Sequence, residues 1–592
     1  MRTVLTSVFL CVAAAAGAQQ AADGVQPEIA GAGSVVTSGA VAKSVAAKQA
    51  GRPVEAREWM VAAANPLAVE AGARVLQEGG SAADALVAVQ LVLGLVEPQS
   101  SGLGGGAFLV WYDAARGELT TLDGREAAPL EATPTLFQNA QGEPLSFYDA
   151  VVGGRSVGVP GTPALLAAAH EKWGRLEWPR LFPEAIALAE DGFEVSPRLA
   201  SMVAGDALRL FRFDATRDYF FPGGQWIEQG ALLKNPAYAE TLRRFANEGA
   251  APFYTGDIAA DIVATVTGAE GNPGVMGPVD LAIYRVKERE AVCAPYRGHD
   301  ICGMGPPSSG ALTVGQILGL LSPFDLAKLG PESAEAWRLI GDASRLAFAD
   351  RGRYMADSDH VPVPVEGLLD EGYLRDRSDL LRGETALTEV EAGAPDYDHA
   401  LNLADDDSIE FPSTSHISVV DADGNVASMT TTIENGFGSR LMVRGFLLNN
   451  ELTDFSFASH ADGRPIANSV APGKRPRSSM APTIVMKDGA PVLAVGSPGG
   501  SQIIGYVAKT IIAHLDWGMN VQEAIDLPHL VNRFGTFEIE AGTTATDLQP
   551  ALEAMGFEVS SQFMVSGLHA ISIGNGLRGG ADPRREGIAL GE

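Results

Sequence analysis

The chain has 592 residues, 46% of them hydrophobic, which is ample material for a large core. It carries 73 acidic against 43 basic side chains, a formal net charge of −30. That surface repels phosphate backbones and anionic lipid, which argues against nucleic acid or acidic membrane as a partner. Length alone suggests about four domains, yet no long Pro- or Ser-rich linker divides the chain, and one large folded body is expected.

The first residues read as an export signal. Arg2 gives the positive start, Val4 to Ala15 the apolar run, and Ala16-Gly17-Ala18 a small-residue cleavage site before Gln19. The run is too short to span a bilayer comfortably. A lipoprotein reading of Cys11 is discounted, because bulky Leu10 precedes it and Val12 follows. Residues 1–18 are expected to be removed, leaving a soluble periplasmic or secreted protein with no membrane span. Residues 19–57, rich in Ala, Gly, Ser and Val, read as a loosely ordered leader.

Helical patterning begins at Pro66 and continues through Val89. The run Ser101-Gly102-Leu103-Gly104-Gly105-Gly106-Ala107 follows. It lacks the Gly-Lys-Ser/Thr of a phosphate loop and the last glycine of a dinucleotide fingerprint. A turn that lets backbones pack closely and a wall of a site are both open readings. Phe108 to Tyr112 and Leu119 to Leu122 read as paired strands leading to Asp123-Gly124-Arg125-Glu126. Residues 156–200 and 335–355 read mainly as helices, one of them starting at Gly161-Thr162-Pro163. Cys293 and Cys302 flank a hairpin-like segment, where a cross-strand disulfide and two free buried thiols are both open. The nine histidines show no paired-ligand spacing, so neither a metal nor any other cofactor is expected. Between Gly383 and Pro412 the chain turns acidic and irregular and reads as a mobile surface segment.

The stretch from Pro412 to Thr432 reads as a β-hairpin with a turn rich in Asp, Gly and Asn. With Val420 facing Val426, antiparallel pairing places Thr414 opposite Thr432. The period of two puts His416, Ser418, Ser428 and Thr430 on the threonine face, and Ile417, Val419, Met429 and Ile433 on the other. By itself the pattern also fits an ordinary half-buried hairpin. A second hairpin, Thr483 to Met486 and Val492 to Val495, turns at Asp488-Gly489. It runs into Gly496-Ser497-Pro498-Gly499-Gly500-Ser501 and an apolar helix near Ile503 to Leu515. Glycines between a strand and a helix start present backbone N–H groups where negative charge is favoured.

Taken together, Thr414-Ser415-His416-Ile417-Ser418-Val419-Val420-Asp421, Leu448-Asn449-Asn450-Glu451, Arg475-Pro476-Arg477-Ser478-Ser479-Met480 and Gly496-Ser497-Pro498-Gly499-Gly500-Ser501 closely resemble the γ-glutamyltransferases. Gln77 to Ala85, Leu103 to Gly106, Arg125-Glu126, Pro306 to Gly310 and Ala581-Asp582-Pro583-Arg584 agree, in order, from about Met60 to the end. The resemblance implies an α+β fold, the αββα sandwich of N-terminal nucleophile hydrolases, with two stacked antiparallel sheets between helical layers. It implies an inactive precursor that cuts itself between Ser413 and Thr414. The products would be a large subunit, 19–413, and a small subunit, 414–592, interleaved as a heterodimer. Thr414 would be the nucleophile with its freed α-amine as base, Thr432 would orient it, and Gly499 and Gly500 would hold the oxyanion. Arg125, Ser478 and Ser479 would grip the donor's α-carboxylate, while Glu434, Glu451 and Asp454 would face its α-ammonium.

The activity implied is γ-glutamyl transfer from donors such as glutathione to water or to amino-acid and peptide acceptors. Two departures stand out. Glu434 replaces an asparagine found in many members, and the loop from Ser456 to Lys474 is short and lacks the tyrosine of a lid, which favours hydrolysis. His416 is expected to be structural. Two alternatives stay open: an acylase that removes glutaryl-type side chains from β-lactams, and an unprocessed, inactive binding relative.

Overall fold

The computed structural model describes residues 35–399, 401–406, 408, 410 and 413–592. The export signal read over residues 1–18 and the first residue of the hairpin motif, Pro412, lie outside the described residues.

Two seven-stranded sheets, each antiparallel throughout, form the centre. The first runs in the order Ile588–Gly591, Met60–Ala63, Thr414–Val420, Val426–Thr432, Gly106–Asp113, Glu118–Gly124, Lys287–Arg289. The second runs Val54–Ala56, Gly576–Ala581, His569–Gly574, Ala490–Gly496, Thr483–Lys487, His299–Met304, Ala291–Tyr296. Alternation along each strand assigns its two faces. Met60, Ala62, Val110, Val420 and Val426 meet Cys302, Ile484, Ala494 and Ile571 between the sheets. On the far side of the first sheet, Val61, Leu109, Ile417, Val419 and Met429 pack on the helices Pro66–Gln77 and Ala82–Val96. Beyond the second sheet, Ile301, Val485, Leu493 and Val495 pack on the helices Gly310–Leu321, Ala334–Tyr354 and Ile503–Leu515. The four layers are the αββα sandwich expected from the resemblance.

Local chemistry explains the element boundaries. Asn65 caps the first helix ahead of Pro66, and Gly79, at φ 85°, separates it from the next. Ser81 and Asp84 then form a capping box for Ala82–Val96, whose residues are all buried, as an all-round apolar helix requires. The turn Asp488-Gly489, with φ of 51° and 80°, closes the second hairpin where it was expected. Cys293 and Cys302 sit directly opposite one another and are disulfide-bonded, which decides between the two open readings.

Two expectations are corrected. Part of the supposed leader is ordered: Gly39–Gln49 is a helix capped by Ser38, and Val54–Ala56 is a strand. Ser44 Oγ donates to the Ala589 carbonyl at 2.7 Å, and Lys48 Nζ to the carbonyls of Arg585 and Gly587 at 3.0 and 2.6 Å. Alanine-rich composition there signals helix propensity, not disorder. The acidic stretch ahead of Thr414 is not wholly on the surface either, since Asp406 and Glu410 are buried. Among the described residues no helix is long and apolar enough to cross a membrane.

Candidate active site

The hairpin has the register deduced from its sequence, Thr414 opposite Thr432 and Val420 opposite Val426. Thr414 Oγ1 donates to Thr432 Oγ1 at 3.3 Å. Thr432 Oγ1 in turn donates to the Ser413 carbonyl oxygen at 2.9 Å and accepts from the Glu434 N–H at 2.8 Å. A hydroxyl has one proton and two lone pairs, so Thr432 is fully engaged in this orientation. The Ser413–Thr414 peptide is pinned from both sides. Ser413 Oγ donates to the Gln99 carbonyl at 2.7 Å, and Arg585 Nη1 to the Thr414 carbonyl at 3.1 Å. Glu434 directs its N–H inward by adopting φ 72°, a region non-glycine residues enter at a cost. Behind Thr432 runs the glycine turn. A Cβ on Gly105 would stand 1.9 Å from the Thr432 carbonyl oxygen, so close packing is what that turn is for.

His416 is structural, as expected. Its ring is buried, with Nδ1 2.9 Å from Thr430 Oγ1 and Nε2 3.0 Å from Ser418 Oγ. Burial, reinforced by nearby His569, holds it well below the usual histidine range. It is a neutral hydrogen-bonding post between the sheets.

Gly499 and Gly500, at φ 140° and 56°, link the strand Ala490–Gly496 to a short turn and the helix Ile503–Leu515. Among the described residues neither amide N–H donates to a backbone acceptor, and Gly500 lines the same cleft as Thr414. A backbone amide presented into such a cleft can stabilise a developing oxyanion.

The cleft is narrow, with a cavity volume of about 20 Å³. Besides Thr414, Thr432 and Gly500, its wall includes Arg125, Glu434, Glu451, Asp454, Ser478 and Ser479, so nearly every residue singled out from the sequence converges here. Their pairing differs from the expected one. Arg125 is buried with its guanidinium on Glu451 and Asp454, and it also donates to the carbonyls of Pro476 and Arg477 at 3.2 and 2.8 Å. Burial raises the carboxyls of Glu451 and Asp454 well above their usual range, and Arg125 offsets only part of this. Glu126, against the same guanidinium, is pushed up to about 7, chiefly by burial. Asn449 Oδ1 accepts from the Glu451 N–H at 3.0 Å, and the Asn450 side-chain amide donates to Glu434. The Asn449-Asn450 pair thus sets the acidic wall in place.

Ser479 Oγ donates to the carboxylate of Glu410, which also meets the guanidinium groups of Arg351 and Arg477. Ser478 Oγ instead accepts from the Met480 N–H at 3.1 Å. Sequence reasoning passed over Glu410, Arg351, Arg477 and Arg585. Arg477 lay inside a quoted motif and was available to notice. Arg351, in the last turn of a helix and 126 positions earlier than Arg477, offered no local signal.

A buried, hydroxyl-linked threonine at the mouth of a two-sheet αββα sandwich defines the class: the fold is that of the N-terminal nucleophile hydrolases. A family model for gamma-glutamyltranspeptidase matches residues 68–592, and the chain belongs to that family. It is 38% identical over 548 residues to the "Glutathione hydrolase proenzyme" of Bacillus subtilis (strain 168), covering 90% of this chain and 92% of that one. It is 35% identical over 550 residues to the protein of the same name from Escherichia coli (strain K12), covering 90% and 91%. Among solved structures, a cephalosporin acylase from Bacillus halodurans superposes with a TM-score of 0.81 at 27% identity, covering 91% of this chain and 97% of the acylase. The protein is therefore an enzyme of the γ-glutamyltranspeptidase and glutathione hydrolase family, with an acylase among its structural neighbours.

Proposed function

We propose that this protein is a self-processing glutathione hydrolase and γ-glutamyltransferase acting outside the cytoplasm. The observation that carries the reading is the hydroxyl chain Thr414–Thr432–Ser413 carbonyl at the expected scissile bond. As Thr414 Oγ attacks the Ser413 carbonyl carbon, charge collects on an oxygen that the Thr432 hydroxyl already meets. Collapse breaks the Ser413–Thr414 C–N bond, the nitrogen takes the proton lost by the hydroxyl, and water then opens the resulting ester, leaving Thr414 with a free α-amine. That amine titrates near ~7.7–8 and serves as the base a threonine hydroxyl needs near neutral pH.

In the mature site Thr414 attacks the γ-carbonyl of the donor, and the amine departs with a proton. The Gly499 and Gly500 amides hold the oxyanion, each such donor being worth roughly 3–4 kcal/mol. The γ-glutamyl-threonine ester then passes to water or to an amino-acid or peptide acceptor. Glu434, Glu451 and Asp454 attract the donor's ammonium, and the tyrosine-free loop after Ser456 favours water as acceptor. The large and small subunits stay together because each contributes strands to both sheets.

A glutaryl-specific acylase is the second reading, and one observation favours it: Arg125 already occupies Glu451 and Asp454. Intact mass of the purified protein beside Thr414→Ala tests processing, with two fragments expected from the unmutated chain and one from the variant. Rates on γ-glutamyl-anilide and glutaryl-anilide then separate the readings. Preference for the glutaryl compound would overturn the first, and an uncleaved, inactive chain would overturn both in favour of an inactive relative.

A further inference from the structure

The segment around Arg585 is held by a part of the chain that the family match does not reach. The match begins at residue 68, and the helix Gly39–Gln49 lies before it. On that helix Lys48 is buried, a place lysine seldom takes because its charge is stripped of water. Burial brings its amine down to about 8, against the pull of Asp582, Glu586 and Asp526. Docking the helix does not demand this, since Val41 packs on the core and Ser44 Oγ donates to the Ala589 carbonyl. Lys48 Nζ goes instead to two carbonyls that flank one residue, those of Arg585 at 3.0 Å and Gly587 at 2.6 Å. The residue between them, Glu586, accepts from the Arg198 N–H at 3.0 Å. The main chain at Arg585 is thus fixed from two sides, and its side chain leads to the site. Arg585 Nη1 donates to the Thr414 carbonyl at 3.1 Å. That contact stands where the sheet stops. Thr414–Val420 pairs along its whole length with Val426–Thr432, but its pairing with Met60–Ala63 ends at Ile417. Thr414, Ser415 and His416 therefore have a strand on one side only, and a cleaved Thr414 has no residue before it to hold its main chain.

Resting on the self-processing reading, we propose that Lys48 is a positioning residue for Thr414 that acts through Arg585. The N-terminal helix straps the C-terminal segment, and that segment aims the main chain of the nucleophile. Lys48 belongs to the large subunit, Arg585 and Thr414 to the small one, so the strap joins the two after cleavage without a covalent bond. It controls the geometry of attack and not the binding of the donor. A misplacement of about 1 Å caused far from the chemistry can cost about a hundredfold in rate.

The test sets Lys48→Met, which keeps the stem and loses the donor group, beside Ser44→Ala, which removes a contact of the same helix with the C-terminal strand. Both are expected to melt lower. Lys48→Met alone is expected to slow self-cleavage and to lower kcat for γ-glutamyl-anilide, counted per cleaved chain, by about tenfold or more, with KM within about twofold. An unchanged kcat, a loss carried by KM, or an equal loss in Ser44→Ala would overturn the proposal. If Lys48→Met does not accumulate as folded protein, Lys48→Gln takes its place with the same readouts. A second arm is independent of turnover. In the uncleavable Thr414→Ala chain, adding Lys48→Met is expected to raise hydrogen–deuterium exchange in peptides covering 585–589 and in those covering 414–418. Exchange that rises only in the first set, or in neither, would overturn the proposal. If the unmutated chain neither cleaves itself nor turns over the anilide, the functional reading fails, and the exchange arm still decides whether Lys48 positions residue 414.

Discussion

Replacing Thr432 by valine removes one hydroxyl and keeps the shape of the side chain, so it isolates the role of that oxygen. The hydroxyl donates to the Ser413 carbonyl at 2.9 Å, the oxygen on which charge accumulates during self-cleavage. Loss of one preorganised oxyanion donor costs about 10²–10³ in rate. Processing of Thr432→Val is therefore expected to slow by about that factor, while Thr432→Ser, which keeps the donor, stays within about tenfold of the unmutated chain. Stability also falls, because the buried Glu434 N–H loses the acceptor it meets at 2.8 Å, a penalty of about 1–3 kcal/mol. The assay is a time course of precursor and fragments by denaturing gel and intact mass. Near-ultraviolet circular dichroism and a melting curve show that the valine precursor is folded. If folded Thr432→Val processes at the unmutated rate, or the serine variant is as slow as the valine one, the hydroxyl chain is not the device described here.

Three further outcomes are expected. Glu126 is buried with its pKa raised from 4.5 to about 7, so its contribution to stability is fully present below about pH 4.5 and is lost as pH rises through about 7. Glu126→Gln should accordingly remove about 3 kcal/mol of pH dependence across that window, read from melts at pH 5 and pH 8, and an unchanged pH profile would refute the assignment. Burial holds Glu451 and Asp454 toward their protonated forms, and an arriving ammonium favours the ionised ones. Donor binding should release protons and tighten as pH rises, seen as a binding heat that depends on the ionisation enthalpy of the buffer; no such dependence would count against these carboxyls facing the ammonium. Gly105→Ala should yield little folded, processed protein, because its Cβ would meet the Thr432 backbone oxygen at 1.9 Å. A soluble, cleaved Ala variant would show that the turn can move aside.

Much of the molecule is legible along the chain because local rules write it there. The alternation of Thr414 to Thr432 fixed a register that the sheet reproduces residue for residue, since a one-residue slip would turn Ile417, Val419 and Met429 away from the helices. The Asp488-Gly489 turn and the Ser81–Asp84 cap are equally local. Motif resemblance brought Arg125, Glu434, Glu451, Asp454, Ser478, Ser479 and Gly500 to one cleft with Thr414. Local reading failed where composition was ambiguous, as with the alanine-rich segment that forms the helix Gly39–Gln49 and docks on the C-terminal strand.

What only the tertiary structure decided is which charge meets which. The sequence contains Arg125, Arg351 and Arg477, and nothing in their spacing says that the first is held by Glu451 and Asp454 while the other two share Glu410. Those pairings join residues as far apart as 326 and 329 positions, from a strand end, the last turn of a helix and an irregular segment. Periodicity and turn chemistry act over a few residues, and burial in a common low-dielectric cleft acts on whatever the fold brings together. The sequence by itself determined the sandwich, the hairpin and the threonine at its open end. The electrostatic character of the pocket beside that threonine was set by three-dimensional packing.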